Sequence, residues 1–144
     1  MTVYDDEIRE SLEALFLSGE LVDLGDSSHF FRLLERSFPV SGSKIDWIKL
    51  PKRATKGTED DLDFARFFEE IASEQELFGD VIYVGDSLTD LALKSHIDIM
   101  IDILPLLIEI PQHHYFIDSE YRWCICLSME GDMDFGISPY VHTA

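Results

Sequence analysis

The sequence predicts an α+β fold, with several N-terminal and central helices packed on a mixed sheet that ends in a C-terminal antiparallel meander. Apolar residues recur at helical spacing through much of the first half, and short apolar runs bounded by turn residues fill the last third. Helices first and hairpins last do not make a regular βαβ array. At 144 residues the chain has the usual size of one domain, taken as residues 1–144, and its 46% hydrophobic content is enough to bury a core.

The first helix is expected from Tyr4 to Leu17, with Ile8, Leu12, Leu15 and Phe16 on one stripe, Asp5, Glu7, Glu10 and Glu13 largely off it, and Gly19 to end it. A second begins at Asp26 or Ser27, either of which can cap it, carries Phe31, Leu34 and Phe38, and stops at Pro39. Ile45 to Leu50 is a strand candidate. Lys52, Arg53 and Lys56 form a basic cluster expected in a solvated loop. Thr58 and Asp61 resemble a capping box that opens a helix through Glu74, with Leu62, Ala65, Phe68, Ile71 and Ala72 inward. Its outer face carries Glu59, Asp60, Asp63, Glu69, Glu70 and Glu74.

Val81 to Val84 is a buried strand candidate, ending at Gly85-Asp86-Ser87. A helical stretch from His96 to Glu109 is expected to break at Pro105, which cannot donate to the preceding turn. His113 to Ile117, Arg122 to Ser128 and Met133 to Ile137 then form the meander, joined by Asp118-Ser119-Glu120-Tyr121 and Glu130-Gly131-Asp132.

With 29 Asp plus Glu against 11 Lys plus Arg, the formal charge is −18, which repels nucleic acid phosphate and anionic membrane surfaces. Ten Phe, five Tyr and two Trp argue against disorder, so the acid belongs on the surface. There it favours a basic partner and opposes direct nucleic acid binding. The N-terminus has neither a basic nor an apolar leader region, and Ile97 to Ile110 is too short and too charged to span a membrane. Cys124 and Cys126 are poorly spaced for a mutual disulfide. These features point to a cytoplasmic protein without a cofactor.

Three groups of residues resemble reaction chemistry. Gly85-Asp86-Ser87-Leu88 looks like the block of GDSL or SGNH hydrolases, with Ser87 as nucleophile, but that serine lies past the midpoint. None of His113, His114 and His142 stands in the DxxH pattern that would supply its base. Asp86 and Asp90 look like the magnesium-binding segment of haloacid dehalogenase-like phosphatases, without the upstream DxDx[TV] nucleophile such enzymes require. His113, His114, Cys124 and Cys126 could approach one another across a hairpin, His113 nearly opposite Cys126, but Cys-x-Cys lacks zinc-knuckle spacing. Buried thiols are the simpler expectation. The alternative to a binding function is accordingly a small hydrolase using Ser87, or Asp86 and Asp90 with Mg²⁺.

Acid and aromatic residues share the meander: Asp118, Glu120, Tyr121 and Trp123 at one turn, Glu130, Asp132 and Asp134 at the other. A rigid sheet end of this kind suits Lys and Arg on a partner. These seven residues, with Asp63, Glu69 and Glu70 of the acidic helix, are the expected partner-binding set; no catalytic or metal-binding residue is assigned.

The stretches Ile108-Glu109-Ile110-Pro111-Gln112-His113-His114-Tyr115-Phe116 and Trp123-Cys124-Ile125-Cys126-Leu127-Ser128-Met129-Glu130-Gly131-Asp132-Met133-Asp134-Phe135-Gly136, with Val81 to Asp90, resemble small bacterial immunity proteins of contact-dependent growth inhibition systems. The resemblance is one of core residues and turns. It implies a non-catalytic inhibitor that binds the C-terminal toxin domain of an incoming effector. Many such toxins are nucleases, basic because they hold phosphate, and an acidic inhibitor competes for that surface.

Overall fold

Thr2 starts the chain's first helix: its hydroxyl accepts from the Asp5 N–H, and the Asp5 carboxylate accepts from the Thr2 N–H. The computed structural model describes residues 2–41, 44–45, 53–57 and 61–139. The expected single N-terminal helix is two, α1 (Val3–Ser11) and α2 (Glu13–Ser18), because Leu12 leaves helical geometry. Ile8, Leu12, Leu15 and Phe16 still reach one core, so their spacing does not reveal the break. Gly19 ends α2 in the left-handed conformation that glycine adopts at little cost.

Strand β1 (Leu21–Asp26) is not among the expected elements; its register slips between Asp23 and Gly25, a bulge that leaves Leu24 without a register partner beside Gly25 at φ 83. Helix α3 (Ser28–Ser37) follows, its Ser28 N–H donating to Asp26 at 2.8 Å. Strands β2 (Val40–Ser41) and β3 (Lys44–Ile45) pair in a small hairpin. Of the strand candidate from Ile45 to Leu50, Ile45 belongs to β3, whereas Asp46 to Leu50 lie outside the described residues. Lys52, Thr58, Glu59, Asp60 and His142 lie outside them too. Arg53 and Lys56, expected in a loop, belong to strand β4 (Arg53–Gly57), where pairing with a neighbouring strand overrides their polarity.

Helix α4 (Asp61–Glu74) leads to β5 (Asp80–Gly85), β6 (Leu91–His96) and α5 (Ile97–Leu107), and the meander is β7 (His114–Asp118), β8 (Trp123–Leu127) and β9 (Asp132–Ile137). Helix α5 is continuous through Pro105, which lies in its last turn and removes a single backbone donor there. Seven strands form one sheet in the order β1-β6-β5-β7-β8-β9-β4. Every pairing in it is antiparallel, where a mixed sheet is expected from the sequence. The α+β class and the C-terminal meander stand.

Both faces of the sheet are covered. Phe64, Phe67, Phe68 and Ile71 of α4, Met100, Ile103 and Leu104 of α5 and Ile8 of α1 bury Tyr83, Leu93, Phe116 and Ile125. Phe68 meets Phe116 edge to face at 5.3 Å between ring centres, the favoured aromatic geometry. On the opposite face, Leu34 and Phe38 cover Ile82, Val84, Tyr115, Ile117, Cys124 and Cys126. No helix among the described residues is long and apolar enough to cross a membrane.

Candidate binding surface

The Gly85 to Asp90 loop joins β5 to β6, and its backbone donors are directed inward. The Gln112 carbonyl oxygen accepts from the N–H groups of Ser87, Leu88 and Thr89 at 3.2, 2.7 and 3.3 Å. The Gln112 amide nitrogen donates to the Thr89 hydroxyl at 2.9 Å and the Tyr83 hydroxyl at 3.1 Å. In a nucleophile elbow such donors would face a developing oxyanion. Here a buried glutamine holds them. Gly85 serves the same arrangement, because a Cβ there would collide with Gln112 and Thr89. The Asp5 carboxylate, wholly buried, fixes the far end of the loop by accepting from the N–H groups of Asp90 at 3.1 Å and Leu91 at 3.4 Å.

Asp86 is engaged with its neighbour, its Oδ1 accepting from the His113 N–H at 3.0 Å. The His113 Nδ1 accepts from the Met129 N–H at 2.8 Å, and Asp86 and Glu130 carboxylate oxygens each stand 3.9 Å from the ring nitrogens. No hydrogen bond among the described residues joins a histidine to the Ser87 side chain. Tyr115 is the register partner of Cys126, displacing the expected His113, although His113 and Cys126 line one cavity of about 130 Å³ with Asp132 and Asp134. Both thiols are buried, and burial pushes the Cys124 thiol far up. Among the described residues no group of three His, Cys, Asp or Glu side chains is placed to hold a metal ion.

His114 continues the Gln112 network inward. Its Nε2 lies 2.9 Å from the Ile110 carbonyl, which can only accept, so Nε2 carries the proton and Nδ1 accepts from the Tyr83 hydroxyl at 2.7 Å. Burial pushes its pKa down from 6.5 to about 4. The unfolded chain therefore binds a proton that the folded chain refuses between those values, and stability falls as pH drops from 6.5 toward 4. The shift corresponds to about 3 kcal/mol. Denaturant midpoints measured from pH 7 to pH 4 should fall less steeply for His114→Phe than for the native chain; parallel profiles would exclude this assignment.

The expected partner-binding residues fall into two groups. Asp118 is only 1% exposed, and its carboxylate accepts from Arg122 Nε at 2.7 Å, so it is a structural anchor for the turn. Trp123 and Asp134 are buried as well. Strand parity is the cause: Asp118 shares a face with Phe116, Trp123 with Ile125, and Asp134 with the face of Cys126. These three correct the expected surface set. Tyr121 is half-buried against the α3 side, at φ 61, and its hydroxyl has no hydrogen-bond partner among the described residues. Glu120, Glu130 and Asp132 are exposed, but at opposite ends of β8. Glu69 and Glu70 are exposed on α4, and Asp63 is half-exposed beside Arg66.

The larger acidic display is on the helical layer. Asp6, Glu7 and Glu10 on α1, Glu69, Glu70 and Glu74 on α4, and Asp98 and Asp102 on α5 are exposed, with Glu109 just beyond. The cations on these helices are Arg9 and Arg66, Arg9 paired with Asp23 and Arg66 placed 3.9 Å from Asp63. No protein-family model matches the chain, and no curated protein matches it either. Sequence reasoning misses the α5 contribution, although the spacing of Asp98, Asp102 and Glu109 gives one helical face. Among the described residues of these helices no cation faces outward unopposed, so the layer concentrates negative potential. Chemically it can attract and orient guanidinium and ammonium groups.

Proposed function

We propose that this chain is an immunity protein of a bacterial contact-dependent growth inhibition system, acting in the cytoplasm. It binds and neutralises the C-terminal toxin domain of an incoming effector, a nuclease that cleaves tRNA or DNA. The observation that carries the reading is the run of exposed carboxylates over α1, α4 and α5, with Arg9 and Arg66 both set against carboxylates. A nuclease must present Lys and Arg to phosphate, and those groups match such a surface. The resemblance of the meander and of Val81 to Asp90 to immunity proteins supplies the biological setting. The engagement of Ser87, Leu88 and Thr89 N–H groups by Gln112 favours binding over hydrolysis at that loop.

The test is coexpression with the C-terminal toxin domain encoded by the adjacent gene. The two proteins should co-purify with nanomolar or tighter affinity, and the chain should restore growth to cells that make the toxin. Failure on both counts would refute the proposal.

A further inference from the structure

A groove of about 250 Å³ runs between α1 and the end of α5, lined by Tyr4, Glu7, Ile8, Leu106, Glu109 and Ile110, with Ser11 at one end. Its apolar lining comes from Ile8 and Ile110, both buried, together with the half-buried Leu106 and Tyr4. Glu7 and Glu109 are exposed at its edges and make no hydrogen bond or ion pair among the described residues. Glu10 lies one helical turn beyond Glu7, and Asp102 one turn before Leu106, so the negative potential extends past the groove itself.

An apolar slot edged by two exposed carboxylates matches a side chain with an apolar body and a cationic tip. Arginine fits better than lysine. Its guanidinium presents several donors in a rigid plane, which can meet two carboxylates while its face lies on an aromatic ring, whereas an ammonium is more strongly hydrated and less directional. The stem would cover Tyr4 and Leu106, the half-buried residues of the lining, removing their apolar surface and its own from water.

We propose that the Tyr4–Glu7–Leu106–Glu109 groove is the docking site for an arginine side chain of the basic partner. The inference rests on the inhibitor function proposed above, and names where on the acidic layer that partner is anchored. A residue held in such a slot contributes chiefly to residence time, while carboxylates elsewhere on the layer contribute to the rate of encounter.

Two probes separate this inference from the function on which it rests. The first is methylguanidinium chloride, titrated into the isotopically labelled native chain and followed by amide resonances. Shifts should concentrate at Ser11, Leu106 and Ile110, and Glu7→Gln/Glu109→Gln should weaken them about fivefold or more. The second is the toxin domain of the adjacent gene. The same double variant should raise its dissociation rate about tenfold or more, whereas Glu69→Gln/Glu70→Gln should change mainly the association rate. If the toxin domain does not bind at all but methylguanidinium shifts the groove in a Glu7- and Glu109-dependent way, the groove stands and the inhibitor function falls. Toxin binding by the double variant within about twofold of native, or the lack of any shift at the groove with methylguanidinium, overturns the groove proposal.

Discussion

Replacing Gln112 by Leu is expected to destabilise the protein by about 4 kcal/mol, more than any substitution of an exposed carboxylate. The side chain is 2% exposed, and its single oxygen serves three backbone N–H groups while its nitrogen serves two hydroxyls. Leucine fills a similar volume, so it keeps water out and leaves Ser87, Leu88 and Thr89 donors without an acceptor. Each buried donor left unmatched costs about 1–3 kcal/mol, discounted here because Ser87 is itself exposed and its N–H can turn to solvent. Gln112→Ala should cost less, about 3 kcal/mol, since water entering the vacated space can serve the same donors. Urea or thermal unfolding measures both. For a chain of this length the leucine variant should melt about 10 °C or more below the native protein. Equal stability of the native and leucine forms would mean that the loop is held by something other than Gln112.

The second large effect concerns binding. Changing Glu10, Asp102, Glu69 and Glu70 to their amides removes charge from all three helices of the acidic layer without touching the groove or the core. The association rate with the toxin domain should fall by about tenfold at low ionic strength, with a smaller change in dissociation. Folding stability should hold or rise slightly, because a chain with a formal charge of −18 carries self-repulsion that these changes relieve. Stopped-flow association and thermal unfolding of the same variant separate the two contributions.

The meander is legible in the sequence because its strands are short apolar runs and its turns carry Asp118-Ser119 and Gly131, residues that favour chain reversal. Strand β6 is not, since Leu91-Ala92-Leu93 lacks β-branched residues and reads as helix on propensity; its pairing with β1 and β5 decides the matter. Strand β1 is hidden by the bulge between Asp23 and Gly25, which interrupts the alternation. The positions of the two meander turns follow from their residues, but an acidic turn is not always an acidic surface. Asp118 lies two residues from Phe116 and so faces the same core, a parity that strand alternation alone implies. The loop at Gly85 to Asp90 shows the opposite limit. Nothing local in Gly85-Asp86-Ser87 announces that its donors are met by Gln112, because that contact joins positions 23 to 25 residues apart.

If the acidic helical layer attracts and holds a basic toxin domain, the rate at which the two associate must depend on ionic strength, and that dependence is the most direct measurement to make. At physiological salt the screening length is about 8 Å, short enough to weaken long-range attraction between the partners. The association rate is predicted to fall steeply as salt is raised, with a shallower dependence for the variant lacking the Glu10, Asp102, Glu69 and Glu70 carboxylates. An association rate independent of salt for the native chain would contradict attraction by this layer.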